Sequence, residues 1–129
     1  MQKELVFMHT ELKKSLVLLK ALIFHYHGLD QDEKKILEAY VQSIDAHDEY
    51  KWAISFISQD YMSAFERAKE FLAKDIKPLD PESRLKYLME TWEDNHKKGY
   101  VTEMETTAML NLAKDWSIEK EFLFSINHN

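Results

Sequence analysis

The chain has 129 residues, of which 45% are hydrophobic, and a formal net charge of −6. That length and apolar content support one folded domain and exclude an intrinsically disordered chain. The acidic balance disfavours general binding to nucleic acid or to anionic membranes, and the absence of cysteine excludes disulfides and zinc–thiolate sites.

Residues that break helices are rare, since the chain contains only two glycines and two prolines. No sustained alternation of apolar and polar residues indicates a strand. We therefore predict an all-α, single-domain bundle of about seven helices over residues 1–129. No apolar stretch is long enough to span a membrane and no signal-peptide layout occurs, so we expect a cytoplasmic protein.

The first predicted helix runs from about residue 3 to residue 27. Its apolar side chains recur at helical spacing, at Leu5, Met8, Leu12, Leu16, Leu19, Ile23 and Tyr26. Over residues 16–24 the apolar surface widens almost all round the helix, which predicts a central, buried element. Gly28 suits the left-handed residue that ends such a helix.

Three further helices are predicted before residue 76. Asp30 and Glu33 form a capping box for the second helix, and an acidic break at residues 45–49 precedes the third. Ser58 or Asp60 is expected to cap the fourth. The side chains expected to face inward are Ile36, Leu37, Tyr40, Val41, Ile44, Trp52, Ala53, Phe56, Ile57, Tyr61, Phe65, Ala68 and Leu72.

Residues 76–81 form the clearest internal boundary, with Pro81 as the first helical residue after its cap Asp80. The fifth helix ends at Gly99. Thr102 and Glu105 form a second capping box for the sixth helix, and Ser117 is expected to cap the last. The inward side chains predicted here are Leu85, Leu88, Met89, Trp92, Met104, Ala108, Met109, Leu112, Trp116, Ile118, Phe122 and Ile126.

A short phrase of sequence occurs twice. His25-Tyr26-His27-Gly28 is followed by an acidic segment and an amphipathic run over residues 36–44. His96-Lys97-Lys98-Gly99 is followed in the same way by a capping segment and a run over residues 108–116. This repetition predicts two related halves, roughly residues 1–75 and 80–129.

The repeated phrase resembles the tellurite-resistance TerB-like family of all-helical domains, over roughly residues 12–124. In that family a helix ends in an Asp-Gly turn, and a hydrophobic residue, a cap, a Glu and another helix follow. Gly99-Tyr100-Val101-Thr102-Glu103-Met104-Glu105 is the better match, and Gly28-Leu29-Asp30-Gln31-Asp32-Glu33 is one residue tighter. The family is linked to tellurite and stress resistance, so the resemblance implies a stress-response or protein-interaction module.

The family's suspected cation-binding positions include the acidic residue before each glycine, and this chain has His27 and Lys98 there. The remaining metal candidates are His25, Glu33, His96 and Glu105. A histidine in the last turn of a helix is also explained by the helix dipole and by free carbonyl groups. We therefore expect no tightly bound cation and no cofactor.

The expected activity is binding rather than catalysis, because no nucleophile, base and orienting group occur at a suitable spacing. A basic protein partner would suit the acidic surface. The residues we single out for partner binding are Asp45, Asp48, Glu49, Tyr50, Tyr87 and Tyr100. The oligomeric state does not follow from the sequence.

Two alternatives remain open. The chain could be a small acidic immunity-type protein that neutralises a basic toxin through a carboxylate face within residues 30–49. It could also be a metal-dependent hydrolase, because His47-Asp48 resembles the His-Asp pair of metal-dependent phosphohydrolases. That site would centre on His25, His47, Asp48 and His96.

Overall fold

A computed structural model of the chain describes residues 10–25, 30–97 and 99–128. These ranges contain seven α-helices and no strand, which confirms the all-α prediction. The helices are α1 Thr10–Phe24, α2 Gln31–Ser43, α3 His47–Ser58, α4 Ala64–Ile76, α5 Pro81–His96, α6 Glu103–Asp115 and α7 Glu119–Asn127. Within the same ranges, no helix combines the length and the apolar character needed to cross a bilayer.

Helix α1 is the centre of the bundle, as predicted. Every residue from 15 to 24 is buried, and α2, α3, α4, α5 and α6 all contact this helix directly. A helix that is apolar on almost every face can pack against other helices on all sides without burying unpaired polar groups. The predicted extension of this helix to residues 3–9 and 26–27, and Gly28, lie outside the described residues.

One charged side chain lies inside this apolar helix. Lys20 is only 3% exposed, and its ammonium group forms an ion pair with the carboxylate of Asp94 on α5. The same ammonium lies 3.8 Å from the centre of the Tyr40 ring on α2. A buried charge is tolerated only when it is paired, so this cluster joins α1 to α2 and α5.

Both predicted capping boxes are present. The Glu33 amide donates to Asp30 Oδ1 at 2.8 Å, and the Asp30 amide donates to Glu33 Oε1 at 3.1 Å. In the second box the corresponding distances between Thr102 and Glu105 are 3.2 and 2.8 Å. Pro81 is the first residue of α5, as predicted. Each box satisfies amides that the first turn of a helix leaves free.

Helices α2 and α6 end alike, each with a non-glycine residue in the left-handed region. Asp45 has φ 52° and Ser117 has φ 59°. The hydrogen bonds that close the two turns, both 2.9 Å long, join Ala46 N to Val41 O and Ile118 N to Ala113 O. This is the Schellman arrangement, which is most often built on glycine.

Four predicted boundaries are wrong, the first being the end of α5, which lies at His96 and not at Gly99. Ser117 ends α6 rather than capping α7, whose N-cap is Ile118. The predicted break at residues 45–49 is shorter, because α3 already begins at His47. Helix α4 begins at Ala64 after the N-cap Ser63, and not directly after Ser58 or Asp60. The Asp60 carboxylate instead holds the preceding turn, accepting from the Met62 amide at 3.1 Å.

Most side chains predicted to face inward are buried or partly buried, but two are not. Tyr61 is 63% exposed and Met104 is 61% exposed. Tyr61 lies in the turn before α4, where helical periodicity does not apply. Met104 is the second residue of α6, on the solvent side of its first turn. Gly99 follows α5 with φ 92°, a backbone angle that glycine adopts readily.

Candidate functional site

The two capped helix starts lie close together. The Tyr100 hydroxyl, just after the Gly99 turn, donates a 2.6 Å hydrogen bond to Asp30 Oδ2. That hydrogen bond, together with the negative charges of Glu33, Asp30 and Glu105, raises the pKa of the Tyr100 phenol well above its usual value. Residues seventy positions apart in sequence are thus joined at one end of the bundle.

Three of the four metal candidates are engaged in other contacts. Glu33 and Glu105 are fully buried and serve the two capping boxes, and Asn95 also donates to Glu105 at 3.4 Å. His96 is the last residue of α5, and its Nδ1 lies 2.8 Å from the Trp92 carbonyl. Among the described residues, no three His, Asp or Glu side chains are grouped so that they could hold a metal ion.

His25 differs from the other candidates in its surroundings. Burial lowers the pKa of its imidazole, and the charge of Glu33 partly opposes this effect. Its Nε2 atom is buried and has no hydrogen-bond partner within the described part of the chain. Buried polar atoms are usually satisfied, so this nitrogen has unused hydrogen-bonding capacity.

The His47-Asp48 pair of the hydrolase alternative lies in the first turn of α3, and both side chains are exposed. The acidic residues of this turn are favoured by the dipole at a helix N-terminus. His25 directly follows α1, and His96 is the last residue of α5. No contact in the described ranges joins either of them to His47 or Asp48.

The residues predicted to bind a partner do not form one surface. Asp45, Asp48, Glu49 and Tyr50 lie where α2 joins α3. Tyr100 is bonded to Asp30 at the opposite end of α2, a helix of 13 residues and therefore about 20 Å long.

Tyr87 is also apart from Tyr100. It is half-buried on α5, nine residues before that helix ends at His96. Tyr50 is half-buried as well, and burial followed by the charge of Glu38 raises its pKa. Of the three tyrosines predicted to contact a partner, only Tyr100 is exposed, at 43%.

An apolar groove that the sequence did not reveal runs between α4 and α6. It consists of two adjoining cavities, of about 380 and about 340 Å³, that share Phe65 and Met104. Buried Leu22 and Ile57 line its floor, and exposed Tyr61 and Met62 stand at its rim. His25 lines the same cavity. We call this feature the α4–α6 groove.

The groove escaped the sequence analysis because its residues come from four separate segments. The only local signal was Met62, an apolar residue that fits no inward stripe and lies in a polar turn between Ser58 and Ser63. Met62 is 95% exposed. Arg67 stabilises that turn by donating to the carbonyl groups of Phe56 and Asp60, each at 2.8 Å.

Comparison with known proteins found no family model, no curated protein sequence and no solved structure that matches the chain.

Proposed function

We propose that the chain is a non-enzymatic, cytoplasmic protein-interaction module of the TerB-like kind that acts in a stress response. The observation that carries the interaction role is the exposure of three large apolar side chains, Tyr61, Met62 and Met104, beside one groove. The TerB-like part of the proposal is supported by the Gly99 turn and the capping box that follows it.

Single exposed apolar side chains are common on protein surfaces, but a cluster of them marks an interaction site. The cluster found here therefore favours a protein partner. Methionine is flexible and polarisable, and it is used on surfaces that adapt to a bound protein. Tyrosine is enriched among the residues that contribute most to binding energy. Tyr61, Met62 and Met104 are therefore suited to bury area against another protein.

The charge of the chain specifies the kind of partner. At a net charge of −6, the molecule attracts a basic protein at long range and raises its rate of association. Asp45, Asp48 and Glu49 add to this field, and none of them forms an ion pair within the described residues. Their role in this proposal is to steer the partner, since they lie at the α2–α3 junction and not in the groove.

The test is capture of a protein by the immobilised chain from an extract of the cells that produce it. Mutating Asp45, Asp48 and Glu49 to Lys should slow association of the captured protein, with a smaller effect at high salt. The control mutates Glu82, Glu119 and Glu121 to Lys, which alters the net charge equally on α5 and α7.

An equal slowing in the control would mean that net charge, and not the α2–α3 junction, steers the partner. If no protein is specifically retained by the wild-type chain, the proposed function is wrong. A captured basic toxin would support the immunity-type alternative instead.

A further inference from the structure

We propose that the α4–α6 groove binds the apolar face of a basic amphipathic helix from a partner protein. This inference rests on the proposed function and names the partner's chemistry and the place where it docks.

The shape of the groove suits a helix. Its α6 wall runs from Met104 to Asn111, about two turns or 11 Å, with Phe65 opposite on α4. Beyond it the ion pair between Lys77 Nζ and Asp115 Oδ1, at 3.6 Å, ties the far ends of α4 and α6 together. A groove of that length accepts the side chains that an amphipathic helix presents at positions i, i+4 and i+7.

The groove is open rather than enclosed, and this favours a macromolecule over a small ligand. Small-molecule sites bury most of the surface of what they bind. Here Met62 and Met104 stand at the rim with most of their surface in solvent. Their flexible side chains can close over a helix once it lies on the buried floor formed by Leu22 and Ile57.

The charges that flank the apolar residues decide between a basic partner and a second copy of this chain. Asp60 precedes Tyr61, Glu66 follows Phe65 and Glu103 precedes Met104, and all three carboxylates are exposed. The nearest guanidinium group, that of Arg67, points into the turn and donates to carbonyl groups. Two copies would bring like charges together, whereas lysines or arginines beside an apolar face would pair with them.

His25 lines the apolar part of the same groove together with Met104. Its Nε2 atom is itself buried, so a bound helix would contact the face of the imidazole ring and not this atom. Burial lowers the pKa of the imidazole and so favours its neutral form, which does not repel a basic helix.

The test uses synthetic peptides of about 18 residues, long enough to form a helix on binding. The first has leucine at the i, i+4 and i+7 positions of one face and lysine elsewhere. The second replaces every lysine with glutamate, and the third scrambles the first. Fluorescence anisotropy should show that the first binds with a Kd of roughly micromolar order and the others at least about tenfold more weakly.

Matched variants locate the binding. Changing Met62 and Met104 together to Ser should weaken binding of the lysine peptide by at least about tenfold. Both side chains are largely exposed, so the fold should be kept. Phe124→Ser is the control, because Phe124 is 64% exposed on α7 and does not line the groove.

Three results would overturn the inference. They are no binding of the lysine peptide, equal binding of all three peptides, and unchanged binding by the Met62/Met104 variant. If the immobilised chain still captures a protein in any of these cases, the proposed function stands and only the occupant assigned to the groove is wrong.

Discussion

Among single residues, Gly99 and Ser117 both have left-handed backbone angles, but they differ in the conformational strain that these angles impose. Gly99 has φ 92° and Ser117 has φ 59°. Glycine adopts such angles freely, whereas a residue with a Cβ is strained by its own backbone. The two positions therefore give opposite predictions for substitution.

Gly99→Val should lower the free energy of unfolding by about 1 kcal/mol or more, because a β-branched residue resists positive φ. A Cβ at Gly99 would meet no atom within 4 Å, so the cost is conformational. Gly99→Asn should lose least, since asparagine tolerates this region. Urea unfolding of both variants checks the order, and a Val variant as stable as the Asn variant would contradict it.

Ser117→Gly should raise the free energy of unfolding by roughly 0.5 kcal/mol, because it relieves the strain at the end of α6. Ser125→Gly is the control, since Ser125 lies within α7 and a glycine there should destabilise by about 0.5–1 kcal/mol. Denaturant midpoints of the two variants should move in opposite directions. Movement of both toward lower stability would show that Ser117 carries no strain.

His25 makes stability depend on pH in a defined direction. Its folded pKa lies below the ordinary value of 6.5, so as pH falls below 6.5 the unfolded chain takes up the proton first. Stability associated with His25 is therefore intact above that pH and declines below it. Between about pH 7 and pH 5 the wild type should lose more free energy of unfolding than His25→Gln. Equal losses in urea unfolding would exclude this role.

At the scale of helices, the Lys20–Asp94 pair holds α5 against the central helix. Asp94→Ala should lower the free energy of unfolding by about 3 kcal/mol, because the buried Lys20 ammonium loses its partner. The double variant Lys20→Met/Asp94→Leu should recover most of that loss. Glu93→Ala, an exposed neighbour on α5, serves as the control with little effect. A double variant no more stable than Asp94→Ala would contradict this account.

The helices also show how far local sequence determines a fold. The caps at Asp30, Thr102 and Asp80 were predictable because a cap is a contact between residues three apart. The prediction that Ser117 caps the last helix is wrong because serine is common both at helix starts and in turns. Tertiary packing decides between them, here by burying Ile118 directly after the turn.

The α4–α6 groove was beyond local reasoning for a related reason. Its floor comes from α1 and α3, and its walls come from α4 and α6. No spacing within one helix brings Leu22, Ile57 and Met104 together. Conversely, the partner residues are predicted from their charge or their expected exposure, which says nothing about their distance from one another. The fold places Asp45 and Tyr100 at opposite ends of α2.

At the scale of the whole molecule, α2 and α6 are alike at both ends. Each has 13 residues, begins with a capping box whose Glu is buried, and ends in a Schellman turn without glycine. This likeness concerns the two helices, and the superposition of entire halves stays a prediction. The TerB-like resemblance predicts that the halves superpose, with the Gly28 and Gly99 turns in equivalent places.

We propose that this molecule works by binding a basic protein, and the rate at which the captured protein dissociates shows whether the α4–α6 groove carries that binding. Changing Met62 and Met104 together to Ser should speed dissociation by at least about tenfold, because apolar contacts act mainly on that rate. Phe124→Ser should leave the rate unchanged. Failure to retain any protein, or a turnover reaction lost on changing His47 or Asp48 without unfolding, would contradict the claim.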